Sequence, residues 1–177
     1  MPRPTRWDGV KRGECADGVY RLELSEPGGP YTAWREVEPS SWTIEAQVMA
    51  DLPEEGSRPD RTSFGLGCWT GVGGSGFLFM VWADGRVTVY EELPATGLVP
   101  FFEQTTPLPA FRLPARLHAG CAGGPDGTTL TLSLNGTAVA LPASTRPSGA
   151  YSVVGFTAET GGEGATFVFD DFHAERA

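Results

Sequence analysis

Period-two alternation, cut at short intervals by glycine and proline, sets the strongest limit on what this chain can fold into. Trp42, Ile44, Ala46 and Val48 share one side of an extended segment, and Thr43, Glu45 and Gln47 share the other. Tyr20, Leu22 and Leu24 alternate with Arg21 and Glu23 in the same way. Alternation of this kind marks half-buried strands. The 24 glycines and 15 prolines are spread along the chain, which suits many short strands joined by turns and disfavours a helical bundle. A length of 177 residues fits one domain, large enough to bury most of its apolar surface without a metal or a disulfide lattice. The expected fold class is all-β, an antiparallel two-sheet sandwich over residues 18–177 behind an irregular segment over 1–17.

Two hairpins stand out. Leu130 to Leu134 runs through Asn135-Gly136 into Thr137 to Leu141, and Phe77 to Ala83 runs through Asp84-Gly85 into Arg86 to Glu91. Both dipeptides accept the positive φ of a two-residue turn. Such turns predict Leu134 opposite Thr137, Leu132 opposite Val139 and Leu130 opposite Leu141, with an apolar shared face. For the other hairpin they predict Phe79 opposite Tyr90. Leu78, Met80, Trp82, Val87 and Val89 then face the core, and Phe77, Phe79, Val81, Thr88 and Tyr90 face away. Further strands are expected over Thr62–Thr70, Arg116–Cys121, Ser152–Ala158 and Ala165–Phe172, with a short one near Val99–Glu103. Pro27-Gly28-Gly29-Pro30 reads as a breaker. The expected core includes Leu22, Ile44, Leu66, Met80, Leu132 and Val139.

The combination of segments resembles a known family. Gly65-Leu66-Gly67-Cys68-Trp69 looks like its cysteine-bearing strand, and Gly76-Phe77-Leu78-Phe79-Met80-Val81 with Asp84-Gly85 its aromatic strand and turn. Leu117-His118-Ala119-Gly120-Cys121 looks like a second cysteine strand, Leu130 to Gly136 the hairpin after it, and Phe169-Asp170-Asp171-Phe172 the closing strand. In this order they resemble the concanavalin A-like lectin/glucanase jelly roll. The likeness is closest to laminin-G-like domains of actinobacterial extracytoplasmic proteins, and it extends to 3-keto-disaccharide hydrolase-like domains. The resemblance implies that the strands of Cys68 and Cys121 lie side by side and that these cysteines bond, leaving Cys15 over. Buried free thiols are the plain alternative.

Net charge is −9, so the long-range field repels nucleic acid and anionic lipid. No apolar run has the length of a membrane span, and the first residues lack the apolar stretch of a secretory signal. The localisation expected is cytoplasmic for a complete chain and extracytoplasmic for a piece of a surface protein.

Chemical motifs are sparse. The spaced Glu-x-Asp-x-x-Glu set of glucanases of this fold is missing, and hydrolysis by the usual route needs two facing carboxylates. No catalytic residue is assigned. Glu91-Glu92 reads as a solvated strand end. Asp170 and Asp171 either accept backbone N–H groups or contribute to a calcium site, and no other cofactor or metal is expected. His118 and His173 have no zinc spacing. The candidate ligand-binding set is Trp69, Phe77, Phe79 and Tyr90, an aromatic surface on which sugars stack, with Glu45 and Gln47 as polar anchors. The competing reading is that the Pro-rich segment bearing Phe101, Phe102 and Phe111 covers these aromatics. The leading expectation is a non-catalytic binding module for carbohydrate or a cell-envelope ligand. A hydrolase relative with loop-borne acids and a structural spacer are the alternatives.

Overall fold

Two antiparallel sheets stack face to face, each presenting one apolar side to the other. The computed structural model describes residues 12–16, 19–24, 26–52, 58–144, 150–162 and 164–177, and of 12–16 the backbone. Residues 1–11 and the side chain of Cys15 lie outside what is described, as does part of the polar loop after Asp51. In chain order the strands are β1 (Arg12–Ala16), β2 (Val19–Leu24), β3 (Gly28–Ser40), β4 (Trp42–Asp51), β5 (Ser63–Trp69), β6 (Gly76–Trp82) and β7 (Val87–Leu93). They continue as β8 (Gly97–Gln104), β9 (Ala115–Gly124), β10 (Gly127–Leu134), β11 (Thr137–Val139), β12 (Tyr151–Thr160) and β13 (Ala165–Arg176). The seven-stranded sheet runs β1-β2-β13-β4-β9-β10-β11, and the six-stranded sheet β3-β12-β5-β6-β7-β8. This is a jelly-roll sandwich. β1 falls inside the stretch expected to be irregular, where it pairs Arg12 with Glu23 and Ala16 with Val19.

The core fills the space between the sheets. Leu22, Ile44, Leu117, Leu132 and Phe167 enter from one side, and Phe64, Leu66, Phe79, Val89 and Phe156 from the other. Burying each such side chain contributes roughly 1.5–3 kcal/mol. Cys68 on β5 and Cys121 on β9 are bonded across this space, their Cα atoms 6.6 Å apart. Their strands face each other from different sheets and do not lie side by side, because both side chains point inward.

The hairpins part company. Asn135-Gly136 is the expected two-residue turn, with φ of 50° and 81°, and Leu134 opposes Thr137 while Leu132 opposes Val139. The third pair, Leu130 with Leu141, is not made, since β11 ends at Val139, although Leu141 still packs on the core. At Asp84-Gly85 the turn has three residues, not two. The Trp82 N–H donates to the Arg86 carbonyl (2.9 Å), and the Gly85 N–H donates back to the Trp82 carbonyl (2.8 Å). Gly85 takes φ of 91°, and Asp84 Oδ1 accepts the Arg86 N–H at 3.1 Å. A three-residue loop of this type places its glycine in the left-handed region. The extra residue shifts the pairing by one, so Phe79 opposes Val89 and Tyr90 opposes Leu78. A one-residue slip moves a whole strand to the other face. Phe77, Phe79 and Val81 therefore join Val87 and Val89 in the core, and Leu78, Met80 and Trp82 turn outward. Met80 is buried as expected, but in a second, smaller cluster on the far side of the six-stranded sheet.

Two more features depart from the alternation. β3 begins at Gly28, inside the expected breaker, and includes Pro30 and Pro39. It is an edge strand, where a missing N–H can face away from the ladder. In β13 the register slips between Asp170 and His173, and Asp171 adopts φ of 51°. The extra residue lets Phe167 and Phe169, then Phe172 and Ala174, all pack toward the core.

Candidate functional site

The outer face of the six-stranded sheet carries the second apolar cluster and a groove. Cross-strand register places Thr32, Thr157, Gly65, Met80, Thr88 and Glu103 in one row across it. The next row is Trp34, Gly155, Gly67, Leu78, Tyr90 and Pro100. The one after that is Glu36, Val153, Trp69, Gly76, Glu92 and Leu98. Beyond Met80, on the opposite side of the first row, Glu159, Ser63 and Trp82 stand together.

Trp69, Leu78, Met80 and Val153 form the buried floor, and Trp34, Tyr90 and Leu98 pack over it half-exposed. Glycine shapes this floor. A Cβ at Gly67 or Gly76 would run into the Trp69 ring, so the indole lies along the sheet over both positions. Its Nε1–H donates to Glu92 Oε2 at 2.6 Å. A groove of about 150 Å³ opens here, walled by Trp34 and Thr32 on β3, Trp69 and Val153, Glu92, and the turn Gly71-Val72-Gly73-Gly74. That turn is closed by the Gly74 N–H donating to the Gly71 carbonyl (2.9 Å). The Ser152 hydroxyl donates to the Thr70 carbonyl (2.9 Å) and ties the turn to β12. Val72 at its tip is 56% exposed.

Toward the other end, the Trp82 Nε1–H donates to Thr88 Oγ1 (2.9 Å). Burial raises the Tyr90 pKa, and the charges of Glu159 and Glu103 add to the rise. Burial also pushes the Glu159 carboxyl up, opposed by the neighbouring Ser63 hydroxyl.

The expected site residues scatter. Trp69 and Tyr90 share this face. Phe77 and Phe79 do not, because the three-residue turn sends both into the core, where they are 3% and 0% exposed. Glu45 and Gln47 do point away from the core, but on the outer face of the seven-stranded sheet. There Arg116 pairs with Glu45, and His173 Nε2 approaches Glu45 Oε2 at 3.7 Å. His118 opposes Glu45 on the next strand. Asp170 Oδ1 accepts the Asp171 N–H at 2.8 Å, which stabilises the bulge. Among the described residues no three His, Cys, Asp or Glu side chains gather to hold a metal, and no helix is long and apolar enough to cross a membrane.

The Pro-rich segment does not fold over the aromatic face. It supplies β8, whose register shift between Val89 and Tyr90 lets both Phe101 and Phe102 pack on the main core. Phe101 meets Phe77 edge-on at 5.7 Å, and Phe111 packs beneath Gly85. Leu98 alone of its large side chains reaches the outer cluster. Sequence reasoning missed Trp34, Thr32 and Val153, and it read Glu92 as merely solvated. The signal for Trp34 was present as alternation of Thr32, Trp34 and Glu36 with Tyr31, Ala33 and Arg35, behind prolines that argued for a turn.

No family model matches the chain, and no curated protein matches it. Solved structures do. A functionally unknown protein from Saccharomyces cerevisiae is similar at a TM-score of 0.67 and 14% identity, over 97% of this chain and 96% of that one. The carbohydrate recognition domain of Emp46p, in a potassium-bound form, is similar at 0.64 and 14% identity, over 95% and 87%. The β-glucanase of Bacillus licheniformis follows at 0.58 and 9%, over 93% and 82%. Sequence identity this low speaks for the fold alone: what this chain shares with these structures is the two-sheet antiparallel jelly roll.

Proposed function

We propose that the chain is a carbohydrate-binding module whose ligand lies on the outer face of the six-stranded sheet. The observation that supports this reading is the groove between Trp34 and the Trp69–Glu92 pair. Sugar rings stack their C–H faces on aromatic surface and direct hydroxyls to a few fixed polar groups. Trp34 supplies the half-exposed aromatic wall. Glu92, oriented by the Trp69 indole, keeps acceptor capacity for a ligand hydroxyl, and Thr32 adds a hydroxyl on the opposite wall. The carbohydrate recognition domain and the glucanase among the similar structures are consistent with sugar ligands.

A binding role suits the carboxylates better than a hydrolytic one. Glu36 and Glu92 stand in one row but four strands apart, roughly 19 Å at ordinary strand spacing. Hydrolytic pairs stand about 5–10 Å apart. The test is a glycan array followed by calorimetry with Trp34→Ala. Loss of binding with the fold intact supports the site, and unchanged affinity removes it.

A further inference from the structure

The far end of the same face carries polar groups that the groove does not use. Ser63 is fully buried, and its Oγ makes no hydrogen bond of good geometry, although the hydroxyl lies close enough to the Glu159 carboxylate to draw its pKa down. By register it lies between Glu159 on β12 and Trp82 on β6, on the side away from the core. Among the described residues Glu159 makes no ion pair, although it is half-buried. A buried hydroxyl without a well-formed hydrogen bond and a carboxylate drawn out of water without a cation are both costly arrangements. Tyr90 senses the negative charge of both Glu159 and Glu103. Two arginines flank this end: Arg61 packs on Gly161 and stands 4.0 Å from an Asp60 carboxylate oxygen, and Arg86 is committed elsewhere. Its Nε donates to Asp84 Oδ2 (2.7 Å), its Nη2 donates to the Asp60 carbonyl (2.7 Å), and its guanidinium lies 5.3 Å over the Trp82 ring.

One chemical group answers all of these needs. An ammonium donates up to three hydrogen bonds. It can serve the Glu159 carboxylate and Ser63 Oγ together. A bare metal ion fits less well, since it asks for several oxygen ligands and this end offers aromatic surface around two polar side chains. We propose that the Ser63–Glu159 end is a subsite for an ammonium group, so that the glycan taken by this face carries amino sugars. This inference rests on the carbohydrate reading above. Ser63 and Trp69 stand at opposite ends of β5, about 20 Å apart at the usual rise per residue, so the ligand is a chain of several sugars that reaches from the groove to the subsite.

The test is calorimetric titration of the full chain with three oligosaccharides of matched length and β-1,4 linkage, built from glucosamine, N-acetylglucosamine and glucose. Burial raises the Glu159 pKa, so the titration is run at about pH 6 and again at about pH 7, above the ordinary carboxylate range. The glucosamine oligomer should bind about tenfold or more tightly than the glucose oligomer, and added salt should shrink that preference. In E159Q and S63A the affinity ratio should fall toward one. Equal binding of glucosamine and glucose oligomers, or tightest binding of the acetylated oligomer, overturns the ammonium subsite and leaves the carbohydrate reading standing. No binding of any of the three overturns both. A preference unchanged in E159Q and S63A shows that the amine is recognised elsewhere and overturns this subsite.

Discussion

The two sheets turn opposite kinds of surface to solvent. On the seven-stranded sheet the outward polar groups pair with one another: Arg116 and His173 flank Glu45, and Arg21 holds Glu23. On the six-stranded sheet the outward side is an apolar floor with half-exposed aromatics over it, and among the described residues no cation pairs with Glu159 and Ser63 Oγ makes no hydrogen bond of good geometry. Exposed ion pairs of the first kind contribute little, about 0–1 kcal/mol each. A face whose charges are mutually satisfied has little to offer a ligand. The other face keeps its stacking surface and its hydrogen-bonding capacity unspent, and that contrast is the reason for placing the ligand there.

The contrast can be broken at the core first. Phe79→Ala should cost about 3–5 kcal/mol in denaturant unfolding, because Phe79 faces inward. A small loss would return this side chain to the outer face. Next comes the link that holds the two faces back to back. The bond between Cys68 and Cys121 closes a separation of 53 residues, and on the chain-entropy account its removal should cost about 4 kcal/mol. Comparing oxidised protein with the C68A/C121A variant measures this. Trp34→Ala should weaken glycan binding by about 1–3 kcal/mol with little change in Tm. Trp69→Ala should lower stability as well, since its ring fills the space over Gly67 and Gly76.

Smaller effects sharpen the comparison. The Glu159 pKa is raised by burial, so its proton is held more tightly in the folded chain than in the unfolded one. Below the usual carboxylate range both states carry the proton. As pH rises through that range the unfolded carboxyl ionises first, and the folded state loses stability. E159Q removes this loss, so its Tm advantage should appear above about pH 5 and vanish below about pH 4. Smallest of all, Arg116→Ala on the ion-paired face should change stability by less than about 0.5 kcal/mol and leave glycan affinity unchanged.

Much of this architecture was legible because burial imposes a period of two. β2, β4, β10 and the Asn135-Gly136 hairpin follow directly from alternation and turn chemistry. β6 was not legible by the same rule. Phe77 to Trp82 is apolar on both sides, so hydrophobic pattern cannot choose a register, and one residue of turn length decided it. The candidate set suffered from that slip: Trp69 and Tyr90 do lie on the outer face of the six-stranded sheet, Phe77 and Phe79 face the core, and Glu45 and Gln47 belong to the other sheet. Trp34 was hidden because prolines at the start of an edge strand look like a turn. Glu159 and Ser63 were hidden because their meaning lies in being adjacent on neighbouring strands, which no local pattern reveals.

The central claim is that the ligand face is the outer side of the six-stranded sheet, and side-chain NMR during titration with a β-linked oligosaccharide tests it most directly. The account predicts that the indole N–H signals of Trp34 and Trp69 shift with saturable dose dependence while the ring signals of His118 and His173 stay in place. Shifts at the two histidines with silent indoles would put the ligand on the seven-stranded sheet and contradict the account.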